Sequence, residues 1–229
     1  MKIDLPADWP RTESAAAAEQ DRLRPLVSRS GLVLDQVRTV AGLDVGYAKD
    51  SDFLVAAVVV LDARTLQPIE QRIATGTAAF PYVPGLFAFR ELPTLLRALG
   101  ELETTPDVLV CDGYGLAHPR RFGLACHLGV LTGLPCIGVG KTAFVGEFAE
   151  PADERGACSD LLAEGELVGR VVRTQSGVKP VFVSIGHRVD LDTAGALVLS
   201  LTTRYRLPET TRAADHLAHV MLVEHQSGR

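Results

Sequence analysis

Apolar and polar residues alternate with several different periods along the chain, and each change of period marks an element. From Val40 to Tyr47, Leu43 and Val45 fall on one face while Gly42, Asp44 and Gly46 fall on the other, the period of a strand. Phe53 to Asp62 is nearly all β-branched or small apolar, which predicts a central strand covered on both faces. A weaker third strand is expected over Gln67 to Ala79. Phe80-Pro81-Tyr82-Val83-Pro84-Gly85 breaks the pattern, because two prolines and a glycine so close together dictate a stiff loop. Behind it Leu86, Phe89, Leu92, Leu96 and Leu99 share one side of a helix, which Pro93 should kink or split in two. Upstream, Thr12 to Val27 is rich in Ala, Glu, Gln and Arg and favours a helix.

The second half alternates. Asp107 to Cys111 predicts a short buried strand ending in Asp112-Gly113, Arg121 to Thr132 a helix, Pro135 to Val139 a strand, and Glu166 to Ile185 a hairpin. Helices are expected near Thr193–Tyr205 and Pro208–Val223. Hairpin-like strands followed by alternating helices and strands fit an α/β fold: a mixed central sheet with helices on both faces.

Composition narrows the class. The 229 residues suit one layered core, so a single domain over 1–229 is expected. The longest apolar run, Leu54 to Leu61, is far short of the roughly 18–20 residues of a membrane helix. Met1 to Pro6 shows no apolar signal-peptide segment, so a cytoplasmic location is the expectation. None of Cys111, Cys126, Cys136 and Cys158 forms a Cys-x-x-Cys pair, which favours buried free thiols over a zinc site. The net charge of −5 speaks weakly against a nucleic-acid binder, although a local basic groove fits within an acidic total.

Three carboxylates stand out. Asp44 interrupts an apolar strand on a face otherwise made of glycines, where a carboxylate is costly unless a cation or donors accept it. The bland reading is a strand with one solvated face. Asp112 ends a buried strand at the carboxyl end, where open α/β sheets bind ligands, and opens a stretch with Gly113, Gly115, His118 and Arg120. An ordinary Asp-Gly turn is its bland reading. Glu91, alone, is a solvated helix residue; beside the two aspartates it completes a set that suits one or two Mg²⁺ or Mn²⁺ ions. Lys141 would add a positive charge there. Gly138-Val139-Gly140-Lys141-Thr142 imitates the end of a phosphate-binding P-loop, but Pro135 stands where that loop requires glycine. A bound nucleotide cofactor is therefore not expected. No Gly-x-Ser-x-Gly is present.

Taken together, several segments resemble the endonuclease V family, whose members incise nucleic acid near deoxyinosine. They are Gly42-Leu43-Asp44-Val45; Pro81-Tyr82-Val83-Pro84-Gly85-Leu86 leading to Phe89-Arg90-Glu91; and Asp112-Gly113-Tyr114-Gly115-Leu116-Ala117-His118-Pro119-Arg120. Further on come His127-Leu128-Gly129-Val130, Gly138-Val139-Gly140-Lys141, Val178 to Ser184 with Gly186-His187, and Arg206-Leu207-Pro208-Glu209 with Arg212. Order and spacing match from about Val40 to Leu217, with little signal in 1–39 and 223–229.

The resemblance implies an RNase H-like fold and a Mg²⁺-dependent phosphodiesterase, with Mn²⁺ as a substitute. It implies cutting of the second phosphodiester bond 3′ to the lesion, leaving 3′-hydroxyl and 5′-phosphate ends. Carried over, Asp44, Asp112 and Glu91 are metal ligands, Lys141 is the active-site lysine, and Asp215 matches a catalytic position that is acidic or histidine. Tyr82 matches a strand-separating wedge held rigid by Pro81 and Pro84. Gly85, Gly113 and Gly115 match the pocket for a flipped base. His118, Arg120 and Lys179 match nucleic-acid contacts. The expected partner is DNA with a deaminated base, or inosine-containing RNA, bound by a monomer. Thr210, Ile185 and Gly140 replace a common proline, proline and alanine of the family, leaving the shape near Asp215 and Lys141 open. The competing readings are a different RNase H-like nuclease, such as a junction resolvase, which needs no wedge, and a binding module without catalysis.

Overall fold

The computed structural model describes residue 3 and residues 8–227; apart from Ile3, the reading of Met1 to Pro6 and the last two residues of the 1–229 domain lie outside that range. Eight strands form one mixed sheet. They are β1 (Thr39–Tyr47), β2 (Phe53–Asp62), β3 (Pro68–Thr77), β4 (Val108–Asp112), β5 (Cys136–Gly140), β6 (Cys158–Ala163), β7 (Glu166–Val172) and β8 (Val181–His187). Their order across the sheet is β3-β2-β1-β4-β5-β8-β7-β6. β1, β4 and β5 run parallel; all other neighbours are antiparallel. The helices are α1 (Glu13–Leu23), α2 (Ala88–Gly100), α3 (Leu124–Thr132), α4 (Leu191–Ser200) and α5 (Glu209–Ser227).

Strand alternation sends Ala41, Leu43, Leu109 and Cys111 to one face, where they meet Leu92, Leu95, Leu96 and Leu99 of α2 and Leu124, Ala125 and Leu128 of α3. Each of those four α2 leucines is essentially inaccessible to water, a burial that contributes about 1.5–3 kcal/mol apiece. The opposite face carries Val108, Val110, Ile137 and Val139 against Leu197 and Val198 of α4. Val59 and Leu61 meet Ala214 of α5 there. β2 is therefore covered on both sides, as its unbroken apolar run requires.

The glycine face of β1 is explained by α5. A Cβ on Gly42 would lie 1.9 Å from the Thr210 carbonyl oxygen. Only a residue without a side chain lets the start of α5 lie against the strand, and this close approach carries Asp215 toward Asp44.

The helix expected near Thr193–Tyr205 ends at Ser200, and Cys158 is exposed where a buried thiol was expected; three further details differ from the sequence reading. Pro93 does not divide its helix: α2 runs through it. A proline at this position leaves the carbonyl four residues back without its helical donor. That carbonyl, on Phe89, accepts the indole N–H of Trp9 at 2.9 Å, so the vacancy is filled from outside. Second, α3 begins at Leu124 and not at Arg121, which has φ of +53° and makes a turn before the Gly123 cap. Third, β6 was not anticipated: its positions alternate between exposed and covered, but Leu162 faces out and Ser159 in, so the sequence does not display that period.

Candidate active site

β1 and β4 pair in parallel with Leu43 opposite Cys111. The next residue of each strand is an aspartate, so Asp44 and Asp112 emerge together where the β1–β4 pairing stops, at the carboxyl end of β4 and three residues before the end of β1, on the side of the sheet where ligands usually bind. α2 brings Glu91 to the same place. All three line one cavity of about 440 Å³, within the range of small-molecule sites. Its remaining wall comes from Tyr82, Pro84, Gly85, Phe87, Gly113, Tyr114, His118, Leu124, Phe144 and Gln20, among others.

The electrostatics are those of crowded carboxylates. Burial, followed by the charges of Asp112 and Asp215, raises the Asp44 carboxyl to about 7. Burial raises Glu91 well above the ordinary range, with Asp44 and Asp112 adding to it. Tyr47 partly opposes this, donating its phenol to Glu91 Oε1 at 3.1 Å. Lys141, at the end of β5, pairs with Asp112 Oδ2. Burial works against the lysine's charge, but Asp112, Asp44 and Asp215 outweigh it and hold its pKa above the ordinary value. Arg206 fixes this segment by donating to the backbone carbonyls of Lys141 and Pro180.

Among the described residues, no three His, Cys, Asp or Glu side chains already stand close enough to enclose an ion. Donor type and charge nonetheless fit a hard divalent cation. The three cavity acids offer only oxygen, and Asp44 and Glu91 hold their protons more tightly than usual, first through burial and then through the neighbouring carboxylates, a cost that a bound cation would relieve.

The structure thus brings together Asp44, Glu91, Asp112, Lys141, Tyr82, Pro84, Gly85, Gly113 and His118. Asp215 acts on Asp44 through its charge from α5. Tyr82 is 71% exposed, with Phe87 beneath it edge-on at 5.9 Å, so it is no core residue. His118 is buried, and that burial lowers its pKa to about 4, so the ring is neutral. Its Nδ1 accepts the Arg120 N–H, leaving the other nitrogen to carry the proton toward Gly85. Gly115 and Arg120 stand outside the cavity wall. A Cβ on Gly115 would lie 1.9 Å from the Ile185 carbonyl, so its bareness serves packing on β8. The Arg120 guanidinium pairs with Asp21 of α1 and donates to the Ala17 carbonyl. Lys179 is exposed in the β7–β8 connection. Sequence reasoning missed Tyr47, Phe87, Phe144 and Gln20. Tyr47 carried a signal, a polar-tipped aromatic three residues beyond Asp44 on the same strand. Gln20 carried none.

A family model described as Endonuclease V matches residues 21–216. The chain belongs to the endonuclease V family.

An endonuclease V from Streptomyces avermitilis is 55% identical over 228 residues, covering 97% of each chain. The crystal structure of an endonuclease V from that species superposes with a TM-score of 0.91 at 54% identity, covering 99% of this chain and 100% of the other. The endonuclease V of Ciona intestinalis, solved in complex with a 24mer DNA containing an inosine followed by a ribo-adenosine, superposes with a TM-score of 0.80 at 29% identity, covering 90% and 96%. The RNase H-like α/β fold expected from the sequence is therefore the fold of the family, and the chain is a nuclease. No helix among the described residues is long and apolar enough to cross a membrane.

Proposed function

We propose that this endonuclease V recognises a deaminated base, deoxyinosine first of all, and hydrolyses the second phosphodiester bond to its 3′ side, leaving 3′-hydroxyl and 5′-phosphate ends. The observation that carries this reading is a single cavity. Its floor holds Asp44, Glu91 and Asp112, and its rim holds the exposed Tyr82 ring on a loop stiffened by two prolines. A base must leave the stack to be examined, and the gap it leaves accepts an inserted ring. Inosine in the DNA bound by the Ciona relative supports the same substrate class.

Asp44, Glu91 and Asp112 would hold Mg²⁺, with Mn²⁺ as a substitute. When bound, the ion supplies an activated water and offsets charge on the phosphodiester. The chain's own groups do the rest. Lys141 brings a cation to the phosphate beside Asp112. Tyr47 orients Glu91 through its phenol. Tyr82 fills the space of the extruded base. His118, Gly85 and Gly113 line the pocket that receives it, and Asp215 adds to the field at Asp44. The chain works as one domain and a monomer in the cytoplasm.

The test maps the cut in an end-labelled duplex bearing one deoxyinosine, in Mg²⁺, in Mn²⁺ and in chelator. A nick one nucleotide beyond the inosine's own 3′ linkage, with a ligatable 5′-phosphate, only with metal, is expected. Cutting at undamaged positions with equal rate would remove the lesion assignment. A second reading, inosine-containing RNA as the target, is served by the same cavity and is decided by repeating the assay on an RNA strand.

A further inference from the structure

Gln20 lies in α1, one residue before the stretch that the family model matches, and it is one of the most deeply buried polar residues, at 1% exposure. Its amide nitrogen donates to two main-chain carbonyls that are distant in sequence: Gly85 at 2.9 Å and Phe122 at 3.0 Å. Gly85 belongs to the proline-stiffened loop that carries Tyr82. Phe122 closes the segment from Gly113, and the next two residues, Gly123 and Leu124, line the cavity. Those two acceptors fix the amide's orientation. The other end, Oε1, is buried with no hydrogen-bond partner. A buried amide oxygen without a donor costs free energy, so the side chain is not there for its own satisfaction. Its hydrogen bonds are spent instead on joining two opposite walls of one pocket.

The neighbouring contacts act in the same direction. His118 also bonds the Gly85 backbone, from the second wall. Arg120 ties that wall to the Ala17 carbonyl, one turn before Gln20 on α1, and to Asp21, the residue directly after it.

We infer that Gln20 is a positioning residue for base recognition: it clamps the wedge loop to the 113–124 segment, so that the pocket receiving the extruded base is formed before substrate arrives. This rests on the base-flipping reading above. A preformed pocket avoids ordering two loops during binding, so the clamp acts on substrate affinity more than on the cleavage step. Its loss should move KM and leave most of kcat.

The experiment compares wild type with Gln20→Met, which keeps the length and loses the donor, and with Leu23→Ala, which weakens α1 packing without touching the pocket. Each is assayed on a duplex with one deoxyinosine in Mg²⁺, and by amide hydrogen exchange without DNA. Gln20→Met is expected to raise KM about tenfold, with kcat changed by less than about threefold. It should also speed exchange in both 83–87 and 114–123. Leu23→Ala should lower the melting temperature with KM near the wild-type value. Wild-type KM and exchange in Gln20→Met would overturn the inference, as would an equal KM rise in Leu23→Ala. Wild type that leaves the inosine duplex intact would instead overturn the base-flipping reading, and the clamp's role in base recognition with it.

Discussion

Asp44 and Asp112 stand side by side because β1 and β4 pair in parallel one residue short of both, with Leu43 opposite Cys111. No loop sets this juxtaposition; two buried strands of the central sheet do. Rigid placement on strands makes the pair a scaffold for charge. Asp44→Ala or Asp112→Ala is expected to lower the cleavage rate at least about 100-fold while leaving much of the DNA binding, because the pocket walls come from other elements. Single-turnover cleavage beside a binding isotherm checks this. Near-normal rates in both variants would remove these residues from the chemistry.

The same crowding predicts a pH dependence of stability in the absence of metal. In the folded chain burial, with Asp112 and Asp215, holds the Asp44 pKa near 7, against an ordinary value of 3.8. Across that window the folded state keeps a proton that the unfolded chain has released. Stability contributed by this group therefore falls as pH rises from about 4, and the full penalty applies above about 7. Asp44→Asn should melt above wild type at about pH 8 in chelator, with the difference vanishing toward about pH 4. Added Mg²⁺ should raise the melting temperature of wild type more than that of the variant. Melting curves separated equally at both pH values would contradict the origin of the effect.

Tyr82 presents an almost bare ring to solvent. Substitution at such a position leaves folding stability within about 0.5 kcal/mol. A base that stacks on an aromatic ring gains about 1–3 kcal/mol. Tyr82→Ala is therefore expected to weaken binding of deoxyinosine DNA about tenfold with an unchanged melting temperature, and Tyr82→Phe to retain binding. Unfolding of the alanine variant would show the ring to be structural.

Pro93 and Trp9 form a compensating pair across 84 positions of sequence, since the proline frees the Phe89 carbonyl that the indole occupies. Trp9→Phe keeps an aromatic ring and strands that carbonyl, at a cost of about 1–3 kcal/mol. Pro93→Ala returns the helical donor, so the double variant should lose less stability than Trp9→Phe alone. Additive effects in the denaturation cycle would mean that the two residues act independently.

Much of this was legible in the chain. The run from Phe53 to Asp62 gave a fully covered strand to within its observed ends. The glycine-flanked Asp44 and the strand-ending Asp112 were visible as chemistry because each breaks a local rule of burial. Other features were hidden because their causes are long-range. Nothing near Pro93 indicates that Trp9 will donate to Phe89, so a kinked or divided helix was the local expectation, and of these the division does not occur. Gln20 looks like any polar residue of an Ala-rich helix until the fold brings Gly85 and Phe122 against it. The parallel register that joins Asp44 to Asp112 depends on the whole sheet.

In the proposed function the acids and the wedge serve one lesion-reading pocket. The most direct measurement incubates wild type and Asp44→Asn, in Mg²⁺, with three labelled substrates: a duplex with one deoxyinosine, its undamaged twin, and a four-way junction. One nick is expected, on the inosine strand and 3′ to the lesion, by wild type alone. Equal cutting of the junction or of the undamaged duplex, or full activity of Asp44→Asn, would contradict it.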